Sequence, residues 1–243
     1  YIEKLKKSYL KLGYALQYLL LKNIGRQLVN NIPLPILSYV GEQLKIQEYD
    51  LESYLNNNVT RKRYFIEIYN ILEFSRFKMN NQIEKIAENI AFSSSNTLEF
   101  AFLFLNELKK MKIIAPRIST IAYILLKAWI KVEKNIYEKI LQQFKDKKRL
   151  EILLENNSNS ESTFSRLKNT SVNISSSGTK ELLSNIRFID EINCNCDLSF
   201  LSEAKILYFL TEIQKSDKFR IQRFADENKK YAYLAMFLYF RRQ

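Results

Sequence analysis

The chain contains no histidine. That absence removes Ser–His and Cys–His nucleophile pairs and the commonest metal ligand. Its two cysteines, Cys194 and Cys196, form one C-x-C with no second pair, so a tetrahedral zinc site lacks ligands. Reduced cytosolic thiols are the expectation. Glycine occurs only at 13, 25, 41 and 178, which leaves no glycine-rich phosphate loop. With only three prolines as well, tight turns must be few and long helices with short polar connections follow. The best apolar run, Ile121 to Ile130, is interrupted by Lys127 and falls far short of the roughly 20 residues a membrane span needs. No signal-peptide pattern starts the chain, no segment alternates for long at period two, and no fixed-spacing repeat is present. The carboxylates sit beside lysines on helix faces, as solvated pairs do. No catalytic residue, cofactor or metal is expected of this chain.

What is present is length, apolar content and positive charge. The 243 residues suit one large or two modest domains, and 47% hydrophobic content fits a folded chain. Fifteen Tyr and sixteen Phe fall mostly at apolar positions, as core filler. The formal charge of +12 favours a polyanionic partner, either nucleic acid or an anionic membrane surface. Tyr1 in place of Met, and an unfinished helical pattern at Gln243, suggest a piece of a longer protein.

Helical periodicity runs almost throughout, so the chain reads as all-α. One helix covers residues 1 to 23 and stops at Gly25. Pro33 and Pro35 open the next, to about Leu44. A short helix follows from about Glu48 to Asn56, then one over 61–75 capped by Thr60. Others are expected near 80–91, 97–111 (capped by Asn96 or Thr97), 118–140 and 145–154. Residues 156–178 are rich in Asn, Ser and Thr and read as a polar linker with one short helix around Phe164. Helices resume at 179–192, 199–215 and 226–241. The implied division is a helical region over 1–155, the linker, and a smaller helical domain over 179–243.

Two stretches have helix-turn-helix spacing. In the first, Gly41, Leu44, Ile46, Leu51 and Leu55 fall in the packing slots. Its second helix carries Glu48, Asp50 and Glu52, which DNA repels, so it is better placed as scaffold. The basic element beside it is Arg61, Lys62 and Arg63, at a helix start where main-chain N–H groups also favour phosphate. In the second stretch, residues 108–131, a turn with Pro116 leads into a helix. Ile118, Ile121, Leu125, Ala128 and Val132 form its buried stripe. Thr120, Tyr123, Lys127, Lys131 and Lys134 lie opposite. Ser119, Thr120 and Tyr123 suit base edges, while Arg117 and Lys127 can reach phosphate or guanine. Lys112, in the turn, and Lys131 complete the candidate DNA-binding set. The same face also suits an ordinary solvated surface.

These segments carry a family resemblance. LGYALQ (12–17), IGR (24–26), PILSYVGEQL (35–44), Tyr54, TRKR (60–63), IIAPRIST (113–120) and IYEKI (136–140) resemble the amino-terminal region of Tn-three family replicative bacterial transposases. The likeness covers about residues 10–155, with a vaguer match at KYAYLAMFLYF (230–240). At Tyr64 the resemblance leads one to expect histidine. It implies helical DNA-binding domains that grip the terminal inverted repeats of a transposon. It also implies a cytoplasmic, nucleoid-associated protein with double-stranded DNA as partner, no membrane, and self-association of the full-length protein left open. The family's carboxylate triad and divalent metal sit on a ribonuclease-H-like domain in its far carboxy-terminal part, so this chain is expected to bind ends without cutting. The alternatives are a basic helical protein–protein scaffold and a peripheral membrane module.

Overall fold

The computed structural model describes residues 2–28, 32–47, 49–156, 162–169, 176–192 and 196–242. Among them every regular element is helical, with only the isolated bridges Ser75 to Ile113 and Asn156 to Ser162 besides. The all-α expectation therefore holds. Glu48, Cys194 and parts of the Asn/Ser-rich stretch lie outside the described residues.

Contacts divide the chain into two compact units, Tyr1–Ile86 with Ala101–Ile124, and Ala87–Phe100 with Leu125–Gln243. Three helices contribute to both: α5 Asn81–Ser93, α6 Thr97–Lys110 and α7 Ile118–Leu141. Each buries one stripe at three- and four-residue spacing: Ile83, Ala87 and Ala91; Phe100, Phe104 and Leu108; Ile121, Ile124, Ala128 and Val132.

The first unit is built on α1, Ser8–Ile24, which packs against α2 (Leu34–Gln43), α3 (Glu52–Asn56) and α4 (Asn58–Ile71). Leu12, Leu16 and Leu21 are almost wholly buried there. Gly13 is required by close approach: a Cβ at that position would lie 2.2 Å from the Tyr54 ring. Tyr54 is fully buried and stacks at 6.5 Å on Tyr64, whose edge also meets Tyr14 at 5.3 Å. Tyr64 thus fills core rather than presenting a polar group. Gly25 ends α1 with φ 71°, and its N–H bonds Leu21 O at 3.0 Å.

The second unit turns about α12, Glu227–Arg242. Eight consecutive residues, Tyr231 to Leu238, are buried, so this helix is enclosed on all sides rather than amphipathic. Packed around it are α10 (Glu203–Lys215), α11 (Lys218–Gln222), α9 (Ser176–Ile192) and the 3-10 stretch Lys147–Leu154. The short helix expected near Phe164 is α8, Thr163–Asn169, and Phe164 packs 4.3 Å from the Phe237 ring. The helix expected over 226–241 is preceded by the separate short α11.

Candidate nucleic-acid interface

The first helix-turn-helix stretch does not present a reading helix. Its slot residues do pack: Ile46 and Leu51 are buried, Leu44 and Leu55 half-buried, and a Cβ on Gly41 would meet the Tyr49 ring at 2.0 Å. The second helix, however, is the five-residue α3, with Tyr54 driven into the core under Gly13. Asp50 accepts from the Ser53 N–H at 3.0 Å, and its hydrogen bonds with Ser53 hold its carboxyl below the usual range. The acid therefore opens a short structural helix. Lys45, at φ 57°, takes the left-handed position after α2, with Ile46 N–H bonding Gly41 O at 2.9 Å.

Helix α4 starts earlier than its sequence suggests. Asn57, not Thr60, is the cap, since its side chain accepts from the Thr60 N–H at 3.1 Å. The N–H of Arg61 already bonds Asn57 O at 2.9 Å, so the basic run lies one turn inside the helix, past its open donors. Arg61 is half-buried and donates through Nη1 to Leu55 O at 3.4 Å. Lys62 and Arg63 are exposed, and the Arg63 guanidinium stands 5.1 Å from the Tyr64 ring centroid.

The second stretch forms a firmly held helix–turn–helix. At the start of α6, Asn96 Oδ1 accepts from the Glu99 N–H at 2.9 Å. Glu99 Oε2 in turn accepts from the Ser95 N–H and hydroxyl, both at 2.7 Å, bonds that hold its carboxyl below the usual range. After α6, Lys112 at φ 53° reverses the chain, and Ile113 N–H bonds Leu108 O at 2.8 Å. The turn is then tied to two other segments of its own unit. Ser75 N–H bonds Lys112 O at 2.7 Å, Ile114 N–H bonds Ser75 O at 2.9 Å, and Ala115 N–H bonds Gly25 O at 2.8 Å. This fixes the entry direction of α7 through main-chain bonds.

On α7 the buried face is rotated from the expected one. Ile121, Ala128 and Val132 face inward as predicted, but the fourth member is Ile124, Leu125 is only half-buried, and Ile118 is 67% exposed. A helix turns 100° per residue, and the run ISTIAYILLKAWI offers apolar residues in several registers, so packing selected among them. Arg117, Ser119, Tyr123 and Lys127 are exposed, while Thr120 is half-buried at the edge. Lys112 is ion-paired with Glu73, and Lys131 with Glu88 at 2.6 Å. Leu126, at 62% exposure, and Ile130 stand on the outward side in either register. These residues lie beside Ser119 and Tyr123, and a single-stripe pattern conceals them.

The second unit also holds a buried polar cluster that no sequence motif marks. Lys205 is fully buried with its ammonium 3.6 Å from the Trp129 ring centroid and 5.0 Å from that of Tyr208. Glu133 Oε1 accepts from Trp129 Nε1 at 3.0 Å and from the Tyr208 hydroxyl at 2.7 Å. Burial pushes the Lys205 amine down to about 8, against the pull of Glu133 and Glu99. The only cue was the sequence's single Trp. An adjoining groove of about 440 Å³ is lined by Asn96, Thr97, Trp129, Tyr208 and Thr211.

Among the described residues no group of three or more His, Cys, Asp or Glu could hold a metal ion, and no helix is long and apolar enough to cross a membrane. The architecture is all-α, with a pinned turn leading into α7, whose first turns carry exposed Arg117, Ser119 and Tyr123. The family model described as "Domain of unknown function (DUF4158)" matches residues 1–128, and the chain belongs to that family. This domain is found in transposase-like proteins. The match spans α1 through the first turns of α7, and so includes the pinned turn.

Proposed function

We propose that this chain binds the terminal inverted repeats of a transposon, as the amino-terminal part of a Tn-three-type replicative transposase. The observation that carries this is the start of α7. Arg117, Ser119, Tyr123 and Lys127 are exposed along its first turns, beyond a turn held by three inter-segment main-chain bonds. Short hydroxyls and a phenol near base edges, flanked by cations for phosphate, are what a groove-entering helix needs. Exposed Ile118 and Leu126 add apolar surface suited to thymine methyl groups. Membership in a family found in transposase-like proteins supports the same function. On this proposal the chain needs no metal or cofactor to bind, acts on bacterial DNA in the nucleoid, and leaves strand transfer to other parts of the transposase.

A second function, docking of a protein partner, is favoured by one specific observation. Leu126 and Ile130 share the exposed face of α7 with Tyr123, and Lys112 and Lys131 are already neutralised by acids. One experiment separates the two. Affinity of the chain is measured for a duplex carrying its element's own end sequence and for a scrambled duplex, across a salt series. End binding requires preference for the first duplex and a falling log affinity with log salt. Equal, weak affinity with no salt dependence would refute it and leave the docking function. Incubation of the same complex with Mg²⁺ or Mn²⁺ is expected to leave the duplex uncut, and nicking abolished by mutating one of the chain's own acids would show otherwise.

A further inference from the structure

A second groove, of about 490 Å³, lies between α8 and α9 in the second unit. Its polar lining is Arg166 from α8 and Lys180, Ser184, Arg187 and Glu191 from α9, with Phe188 between them in sequence. The α9 positions follow one another by four, three and four residues, so they share one face of the helix. At 1.5 Å per residue, Lys180 and Arg187 stand about 10 Å apart along the axis. The third cation comes from the neighbouring helix, its guanidinium 5.8 Å from the Phe188 ring centroid.

The walls are held from below. Asn185 and Ile189 are the buried residues of α9, and Arg242 donates through Nη2 to Ile189 O at 3.2 Å while pairing with Asp190 at 3.7 Å. On α8, Phe164 is fully buried and Leu167 nearly so. Lys180, Ser184 and Arg187 are exposed, whereas Phe188 and Arg166 are half-buried. Three cations therefore face one carboxylate in a groove whose backbone is fixed by packing. A row of cations with a hydroxyl matches a chain of phosphates, whose charge repeats along a strand regardless of sequence. A guanidinium can also take a phosphate by two parallel bonds.

We infer that the α8–α9 groove grips the sugar–phosphate backbone of DNA, in addition to the contacts made by α7. This rests on the DNA-binding function proposed above. The groove supplies affinity and register but no sequence preference, because its cations meet phosphates rather than base edges.

The test uses the 243-residue chain and the same end and scrambled duplexes. Lys180→Gln with Arg187→Gln removes two exposed cations, and circular dichroism checks the fold. The double variant is expected to weaken both duplexes by the same factor and to lower the log–log salt slope by about 1.8, at about 0.9 per phosphate contact. Glu191→Gln, which removes the groove's one acid, is expected to tighten both duplexes roughly twofold, from Coulomb repulsion of about 0.5 kcal/mol at 8 Å in water. A gain of that kind cannot come from misfolding. An unchanged slope in a double variant whose parent still binds overturns the groove and leaves α7 in place. A parent with no salt-sensitive affinity overturns both. Loss confined to the end sequence overturns a backbone grip in favour of base contact. Exposed Leu182 and Ile186 on α9 define a further arm. If the parent binds phosphatidylserine vesicles and the double variant loses only that binding, the groove belongs to a membrane surface.

Discussion

Replacing Lys205 by Met should change how stability responds to pH. The amine is fully buried against Trp129, and burial lowers its affinity for a proton from an ordinary value of 10.5 to about 8. The sign follows from proton counting. Between pH 8 and 10.5 the unfolded chain holds the lysine proton and the folded chain has released it. Stability therefore rises with pH across that window. Below pH 8 both states are charged and the full penalty of burying an ammonium is in force, about 3 kcal/mol from a 2.5-unit depression at 1.36 kcal/mol each. From pH 7.5 to 10 roughly 2 kcal/mol of it should be relieved. Met cannot titrate, and its length lets it stay against the indole. The buried tyrosines, whose hydroxyls burial pushes upward, make stability fall from the usual phenol range upward, because the unfolded chain ionises there first, and they do so in both proteins. They cancel in the difference. Urea unfolding is followed by fluorescence of Trp129, the one tryptophan of the chain and a member of this cluster. The wild type should gain roughly 2 kcal/mol on Lys205→Met between pH 7.5 and 10. Parallel profiles for the two proteins would mean that the amine is not desolvated, and the account of this cluster would fail.

Three further outcomes are expected. Tyr123→Ala should reduce preference for the end sequence over a scrambled duplex by about 1–3 kcal/mol, and Thr120→Ala by less because its side chain is half-buried; paired affinities at one salt concentration decide, and full discrimination in the Tyr123 variant would remove α7 as the reader. Lys62→Ala with Arg63→Ala should weaken all duplexes alike and lower the salt slope by up to about 1.8, while Arg61→Ala should instead cost stability through the lost bond to Leu55 O; a slope that stays fixed in the first variant means those side chains point away from DNA. Gly13→Ala should destabilise by about 1–3 kcal/mol, because its methyl would sit 2.2 Å from the Tyr54 ring in a full core; thermal or urea unfolding measures it, and a neutral result would mean α3 can withdraw at no cost.

Much of the helical order is written locally. Apolar residues every three or four positions mark α1, α5, α6 and α10, because a helix exists to bury one stripe. Gly25 and Asn96 end and begin helices through backbone geometry that their own side chains permit, so their neighbours need not be known. Thr60 misled because Asn57, three residues earlier, is the better acceptor at the same boundary. The candidate residues Arg117, Ser119, Tyr123 and Lys127 were legible as exposed cations and hydroxyls at the start of one helix. Tertiary structure decided the rest. Whether Ile118 or Ile124 belongs to the buried face of α7 is a rotation that its own apolar content leaves open, and only the surrounding helices fix it. Lys112 and Lys131 carry the charge that composition assigns them, yet acids 39 and 43 residues away in sequence consume it. The acid-bearing α3 became a core plug because Gly13, on another helix, leaves room for Tyr54. The interleaving of residues 87–100 and 101–124 between two units has no local signal at all, since it depends on which long-range contacts close. Local chemistry fixes what each segment is, while the side it shows and the charges it keeps depend on what the rest of the chain brings beside it.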